Sequence, residues 1–493
     1  MRKHLTLIAS LALIKLIIQL LGNRHYGFHR DELLHLSVGQ HLDWGYMEFP
    51  PLIGWLGRLS TIIFDTSLMG VRLFPTLAGV VILVICCLSA KKWGGSWKAI
   101  LVAGACVLGF LPFFRNHTLF QPVAFDQLCW TLGFYYLVSY LKDEDNRYLY
   151  LTGLITGIGL LNKYTMLVWA FAAVVGLAFF EGGRIYRKGQ AYLAAGIALL
   201  IFLPNVLWQA SRDFPLFGHL AELRASQLSE MGTWDFGMAQ LDYPFTLIVS
   251  LLGIWFLLKS ARFRAIGVAT VVIFATMWIL RAKAYYVFGV YPILFAAGAV
   301  QVDRWLREKH PAWMIGIAAV VFLPTVPFIP EATPILPIED YVAYKDLPRK
   351  NGRVELTGDY ADMFGWEEQV ALVDSVYRSL SPVERSNCVL WAENYGEAGA
   401  LTILGDRYDL PDPISRHGTF WTWGYQNPDA AVWISLGNEE GSVNHVFADV
   451  RLVKMIYHPY AIGEENGIPL YVCRQPKVEI PQWWADYEPY IFD

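Results

Sequence analysis

Charge is scarce in this chain. Aspartate, glutamate, lysine and arginine make up 17% of 493 residues, where an ordinary soluble domain carries about 25%. The net charge is only −4, and no strongly basic block stands outside short loops, so nucleic acid is excluded as a partner. Cysteine is sparse too. Cys86, Cys87, Cys106 and Cys129 lie in apolar segments and read as small hydrophobes. Only Cys388 and Cys473 could form a disulfide, and nothing in the sequence shows that they meet. There is no internal repeat and no low-complexity tract. No small-residue cleavage site precedes the polar switch Asn23-Arg24-His25, so the apolar run 5–21, after Arg2 and Lys3, reads as a first spanning helix rather than a cleaved signal.

What is abundant is apolar and aromatic surface. Hydrophobic residues are 55% and aromatic residues 15% of the chain, and the mean hydropathy is +0.36. These values predict an integral membrane protein. After 5–21, apolar runs follow at 68–90, 99–114, 123–141, 149–161, 166–180, 191–208, 243–258, 265–280, 285–302 and 313–329. Several are short, but together they predict about eleven spans. Alternate loops (91–98, 142–147, 181–189, 259–264 and 303–310) each hold at least two basic residues. The positive-inside rule then puts the N-terminus and these loops in the cytoplasm and everything after about Pro330 outside.

The expected organisation is a transmembrane domain over 1–330, with a first outer loop at 22–67, and an extracytoplasmic α/β domain over 331–493. In the loop, Asp31 to Leu42 places Leu34, Val38 and Leu42 four apart. That spacing predicts a short amphipathic helix with Asp31 and Glu32 in its first turn. Pro50-Pro51 opens a second one with Leu52, Trp55, Leu56 and Leu59 on its apolar face. In the tail, 387–394, 430–437 and 469–474 read as buried strands, and 365–380 and 395–403 as helices.

Ionisable groups near hydrocarbon are costly and usually have a job or a partner. On the outer side these are Asp31, Glu32, Asp126, Lys163, Arg281 and Lys283, with His29, His35 and His117. Acid at one place and Lys or Arg at others suggest a substrate with an anionic headgroup, phosphate by preference, and a hydroxyl to be deprotonated. Asp31 could be a general base or metal ligand, or simply a helix cap. Asp126 could be a second active carboxylate or the partner of a buried base. Lys163 and Lys283 could bind phosphate or snorkel to the surface. His29 and His35 are weak candidates for a divalent metal with Asp31 and Glu32, and the sequence fixes no cofactor. Lys15, inside the first span, has no partner that the sequence names. The aromatic stretches HLDWGYMEFPP and FWTWGYQ could line a carbohydrate or lipid-headgroup site, or sit at the membrane interface as Trp and Tyr often do.

Taken together, RDELLHLSVGQHLDWGYMEFPPLIGWLGRLS, QPVAFDQLCWTLGFYYL, GIGLLNKYTMLVW, IFLPNVLWQASRDFP and AYYVFGVYPILFAAGAV, with ENYGEAGAL and SRHGTFWTWGY in the tail, resemble the multispanning type C glycosyltransferases. The resemblance is to the bacterial branch similar to dolichyl-phosphate-mannose protein mannosyltransferases and the lipid A aminoarabinose transferase. It implies transfer of a sugar, with inversion, from a polyprenyl-phosphate donor to a glycan, lipid or protein acceptor on the outer face of a cell membrane, the bacterial inner membrane. It implies that Asp31 deprotonates or orients the acceptor hydroxyl with Glu32 in support. Asp126 matches the second outer-loop acid, and Lys163, Arg281 and Lys283 would hold the donor phosphate. Some relatives use a divalent metal and others do not. A transporter or flippase of lipid-linked saccharides is the alternative, although such proteins commonly show two matching halves and none is visible here.

Overall fold

A computed structural model describes residues 2–179 and 181–486. Met1, Phe180 at the end of the sixth expected span, and 487–493 at the end of the expected outer domain lie outside the described residues. The chain divides into two compact units. One takes the chain up to Asn23, Phe49–Leu52 and Arg72–Ile335; the other takes Arg24–Glu48, Ile53–Val71 and the chain from Leu336 on.

The first unit is helical. Five helices are long and apolar enough to cross a membrane by length and composition: Arg2–Gly22, Leu68–Lys92, Gly189–Ala210, Ala284–Trp305 and Ala312–Ala332. Shorter apolar helices occupy Trp97–Gly109, Met166–Ala178, Pro244–Lys259 and Arg264–Ile279. The runs at 123–141 and 149–161 fall within helices Pro122–Asp143 and Arg147–Leu160. Expected span 99–114 is broken: the helix stops at Gly109 and a short turn of helix, Pro112–Asn116, follows. Proline explains the break, since Pro112 has no N–H to continue the ladder and is suited to a helix start. Small residues let the helices close on one another. A Cβ on Gly298 would stand 1.9 Å from the Val249 carbonyl oxygen, so only glycine fits at that crossing.

The first helix carries a polar stripe into this packing. Lys15, Gln19 and Asn23, four apart on one face, are all fully buried. Lys15 Nζ donates to the Phe113 carbonyl at 3.4 Å and lies over the Phe114 ring, Gln19 donates to the Phe114 carbonyl and the Thr118 hydroxyl, and Asn23 donates to the Arg72 carbonyl and Thr76. Lys15 therefore has a partner, the Phe113 carbonyl in the 112–116 turn.

The second unit is built on a mixed five-stranded sheet. Besides a small hairpin of β1 (Arg349–Lys350) and β2 (Arg353–Val354), its strands are β3 (Cys388–Ala392), β4 (Pro413–Ile414), β5 (Val432–Leu436), β6 (Phe447–Ile456) and β7 (Ile468–Pro476), in the order β4-β3-β5-β7-β6. β3 pairs parallel with β4 and β5, and β7 pairs antiparallel with β5 and β6. Trp391, Trp433, Phe447, Trp483 and Trp484 fill the core on one face. Cys388 and Cys473 are free and sit on β3 and β7 with β5 between them. Two strand spacings, about 9.6 Å, exceed the reach of a disulfide.

Both loop helices form in this unit, with corrections. The first, Arg30–Gln40, ends before Leu42, which is exposed; Glu32 to Gly39 are all buried, so the helix is enclosed rather than amphipathic. Gly399 explains the enclosure, because a Cβ there would meet the Leu33 side chain at 2.9 Å and its backbone at 3.0 Å. The second, Leu52–Phe64, buries Ile53, Gly54, Gly57 and Ser60 while Leu59, Ile62 and Ile63 are exposed. Its small face is the packing face, and its bulky face is the outward one.

Candidate functional site

The predicted residues fall into two groups, one in each unit. In the second unit, Asp31 and Glu32 do lie in the first turn of helix Arg30–Gln40, but Asp31 is not the cap. His29 is: its Nδ1 accepts the Asp31 N–H at 3.1 Å, and Glu32 Oε2 accepts the His29 N–H at 2.9 Å. This reciprocal box satisfies two otherwise orphaned backbone donors. Glu32 is thus fully buried in a structural contact, while Asp31 is half-buried and its side chain faces Tyr395.

Tyr395 donates to Asp31 Oδ1 at 3.0 Å. It is the first residue of helix Tyr395–Gly405, which a second capping box begins. Asn394 Oδ1 accepts the Gly396 and Glu397 N–H groups, and Glu397 Oε2 accepts those of Glu393 and Asn394. ENYGEAGAL is therefore a cap-plus-tyrosine motif, and its Tyr is the residue that the sequence reading passed over. Burial first, and the Asp31 charge second, push the Tyr395 phenol well above its ordinary range, so it remains a donor. Arg30 stands over the Tyr395 ring at 5.8 Å and pairs with Asp362 at 2.7 Å and Glu464 at 3.0 Å. Behind them lie two buried carboxyls, Glu397 and Glu465. Burial raises both; the Glu465 charge raises Glu397 further, whereas Arg30, Asn394 and Gln369 restrain Glu465.

In the first unit, Asp126 begins the second turn of helix Pro122–Asp143, and its Oδ2 accepts the Thr165 hydroxyl at 3.0 Å. Its other carboxylate oxygen is buried with no hydrogen-bond donor among the described residues. Lys163 lies in the turn between Arg147–Leu160 and Met166–Ala178, and Asn162 pins that turn by donating to the Pro122 carbonyl at 2.9 Å. The Lys163 ammonium sits over Tyr286 at 4.5 Å and Tyr285 at 5.1 Å. Burial pushes it down to about 8; Asp126 opposes that, and the charges of Lys283 and Arg115 add to it. Lys283 reaches Gln227, and Arg115 donates to Gln121 at 3.2 Å. Lys163 thus sits beside one carboxylate and within the influence of the Lys283 and Arg115 charges. Arg115 was missed in FFRNH because it sits at the end of an apolar run, where snorkelling is the ordinary reading. Arg281 is exposed, in a left-handed conformation just past helix Arg264–Ile279. His117 pairs with Gln127 at 3.0 Å.

The metal candidates do not assemble a ligand set. His29 Nδ1 accepts a backbone N–H and Nε2 lies 3.6 Å from Asp362, and His35 is buried inside its helix. Among the described residues, no three His, Cys, Asp or Glu side chains gather as ligands.

A body of apolar helices with ionisable residues at span ends, on a chain that also carries a small mixed sheet, fits the class that the sequence resembles, the type C glycosyltransferases. Comparison with known proteins supports that class. Residues 48–208 match the family model for dolichyl-phosphate-mannose-protein mannosyltransferase. The lipid A galacturonosyltransferase RgtD of Rhizobium johnstonii is 24% identical over 219 residues, which span 42% of this chain and 43% of that relative, less than half of either. The crystal structure of ArnT from Cupriavidus metallidurans bound to undecaprenyl phosphate aligns with TM-score 0.63 at 13% identity, over 95% of this chain and 97% of ArnT. The apo form aligns with TM-score 0.62 at 12% identity, over 99% of both chains. The chain has the ArnT fold, and the family that its sequence resembles is the one these likenesses support.

Proposed function

We propose that this protein is a membrane glycosyltransferase that moves a sugar from a polyprenyl-phosphate donor to a hydroxyl acceptor (an envelope lipid, polysaccharide or protein) on the extracytoplasmic face. The reading keeps about eleven spans over 1–330, a cytoplasmic N-terminus, and an extracytoplasmic domain over 331–493. The observation that carries it is the gathering of basic side chains at Lys163. Lys163, buried beside Asp126, feels the charges of Lys283 and Arg115, and basic groups gathered in this way suit an anion such as a donor phosphate.

In the proposed step, the acceptor oxygen attacks the anomeric carbon as the bond from that carbon to the phosphate oxygen breaks. The acceptor proton goes to Asp31, and polyprenyl phosphate leaves with one more negative charge. Lys163, Lys283 and Arg281 bind that phosphate more tightly as its charge grows, which lowers the barrier. Tyr395 holds Asp31 in one orientation, and Glu32 supports it by fixing the start of its helix. Asp126 keeps Lys163 charged and placed.

The test is donor consumption by purified protein in lipid nanodiscs, using labelled polyprenyl-phosphate sugars and membrane extract as the acceptor source. Wild type is expected to transfer label and Asp31→Asn is not. A fully active Asp31→Asn removes the catalytic assignment. Movement of intact donor across the bilayer without its consumption replaces the transferase with a transporter.

A further inference from the structure

The two aromatic stretches of the sequence meet in the second unit, at the opposite end of helix Arg30–Gln40 from Asp31. Ten residues at 1.5 Å each put that end about 15 Å away. His41 stacks on Trp423, with ring centroids 3.9 Å apart and planes 22° from parallel, and Phe420 braces the indole edge-on at 4.7 Å. Glu48, from the first stretch, accepts the Thr419 N–H at 2.7 Å and bonds its hydroxyl, tying the loop that carries Trp423.

A cavity of about 260 Å³ opens here, lined by His41, Thr402, Asp412, Trp423, Gly424 and Gln426 together with Pro413. At ~30 Å³ per water this is room for about nine waters, below the ~300 Å³ where drug-sized pockets begin. It suits one six-membered ring. Its wall is a tight loop. Gly424 has φ +87, with nothing within 4 Å of a built Cβ, and Gln426 has φ 56. Gln426 Nε2 donates to the Asp412 carbonyl at 2.7 Å, which leaves its amide oxygen to accept.

The lining combines a rigid, part-exposed indole with a carboxylate, an amide and the Thr402 hydroxyl, which donates to the Ala398 carbonyl and keeps its lone pairs. No Lys or Arg is among these residues. His41 is neutral near pH 7, because burial lowers its pKa more than the Asp412 charge raises it. Asp406, which accepts from Gln40, adds negative potential beside Asp412. A hydroxyl-rich ring with an apolar C–H face and no negative charge matches each of these features; a phosphate or uronate does not.

We propose that this cavity binds a single uncharged pyranose ring, a saccharide site of the second unit separate from Asp31. The inference goes beyond the transfer reading and does not depend on it, because binding is measured without turnover. The experiment is saturation-transfer NMR on the full-length protein in nanodiscs, with empty nanodiscs subtracted. The probes are the methyl pyranosides of glucose, galactose and mannose, with glucuronic acid and glucose 1-phosphate as anionic arms. At least one neutral pyranoside is expected to bind in the millimolar range. Trp423→Ala is expected to weaken it about tenfold or more, a step of 1.4 kcal/mol, and Asp412→Asn to weaken it several-fold. Trp423→Phe, which keeps an aromatic plate, should retain binding within a few-fold. Asp412 is exposed, so its variant reports even where Trp423→Ala unfolds. The proposal is overturned if no neutral pyranoside binds wild type, if folded Trp423→Ala or Asp412→Asn binds like wild type, or if the anionic sugars bind better.

Discussion

The Tyr395 hydroxyl donates to Asp31 Oδ1 at 3.0 Å across 364 residues of sequence. A hydrogen bond to a charged group is worth about 1.5–3 kcal/mol, so Tyr395→Phe should lower turnover roughly 10- to 100-fold with little change in donor KM. Asp31→Asn should cost more, about 100- to 10,000-fold, the usual weight of a general base. Steady-state transfer assays separate the two. Equal losses would mean that Tyr395 does more than orient Asp31.

Lys163 gives the proposed donor site a pH limit. Its ammonium, held down to about 8 chiefly by burial, loses its charge as pH rises through that value. Binding of an anionic donor should therefore weaken above pH 8 in wild type. Lys163→Arg, which stays charged, should remove that limb, and Lys163→Met should lower kcat/KM at pH 7 by about 10- to 100-fold. For stability the sign is reversed. The unfolded chain binds the extra proton between about 8 and 10.5, so this residue's contribution improves as pH rises across that window. Donor-binding titrations at pH 6 to 9.5 check the first effect.

Glu397 and Glu465 make the second unit sensitive in the opposite direction. Both carboxyls are raised above their ordinary 4.5 by burial, so the folded state holds protons that the unfolded state releases. The stability they contribute is full below pH 4.5 and is lost as pH rises through their folded values. Thermal unfolding should show that loss toward neutral pH, and Glu397→Gln, which can still close the helix cap, should flatten the profile. A profile unchanged by this substitution would place the proton elsewhere.

Gly399 sets how closely two helices approach. A methyl group there would stand 2.9–3.2 Å from Leu33, and forced overpacking of this kind costs about 1–3 kcal/mol. Gly399→Ala should lower the unfolding temperature, and Gly399→Val should lower it further. Activity should fall with it, because Leu33 is two residues from Asp31.

Much of this was legible in the sequence. Long apolar runs specify helices through composition alone, and Asp31 and Glu32 appear in a first helical turn because acid before a hydrophobic run marks that position. The strands at 388–392, 432–436 and 468–476 were visible as short apolar runs. Partnerships were not visible. Tyr395 is one tyrosine among 26, and only a fold that packs its helix on Leu33 singles it out. The buried face of Leu52–Phe64 was hidden for a different reason. A hydrophobic pattern finds bulky residues, whereas Gly54 and Gly57 pack because they are small. Lys15 remained unassigned because carbonyls at a helix break leave no mark in composition.

That last contact bears on how the protein is made. Lys15 and Gln19 meet their partners 98 and 95 residues later in the chain, which at ~5–20 residues per second is about 5–20 s of synthesis. A lysine at the centre of a spanning helix costs about 2.5–3.5 kcal/mol to insert. During that interval the newborn first helix carries its polar stripe without these carbonyls, so the contacts that hold Lys15 and Gln19 form only after the 112–116 turn has been made.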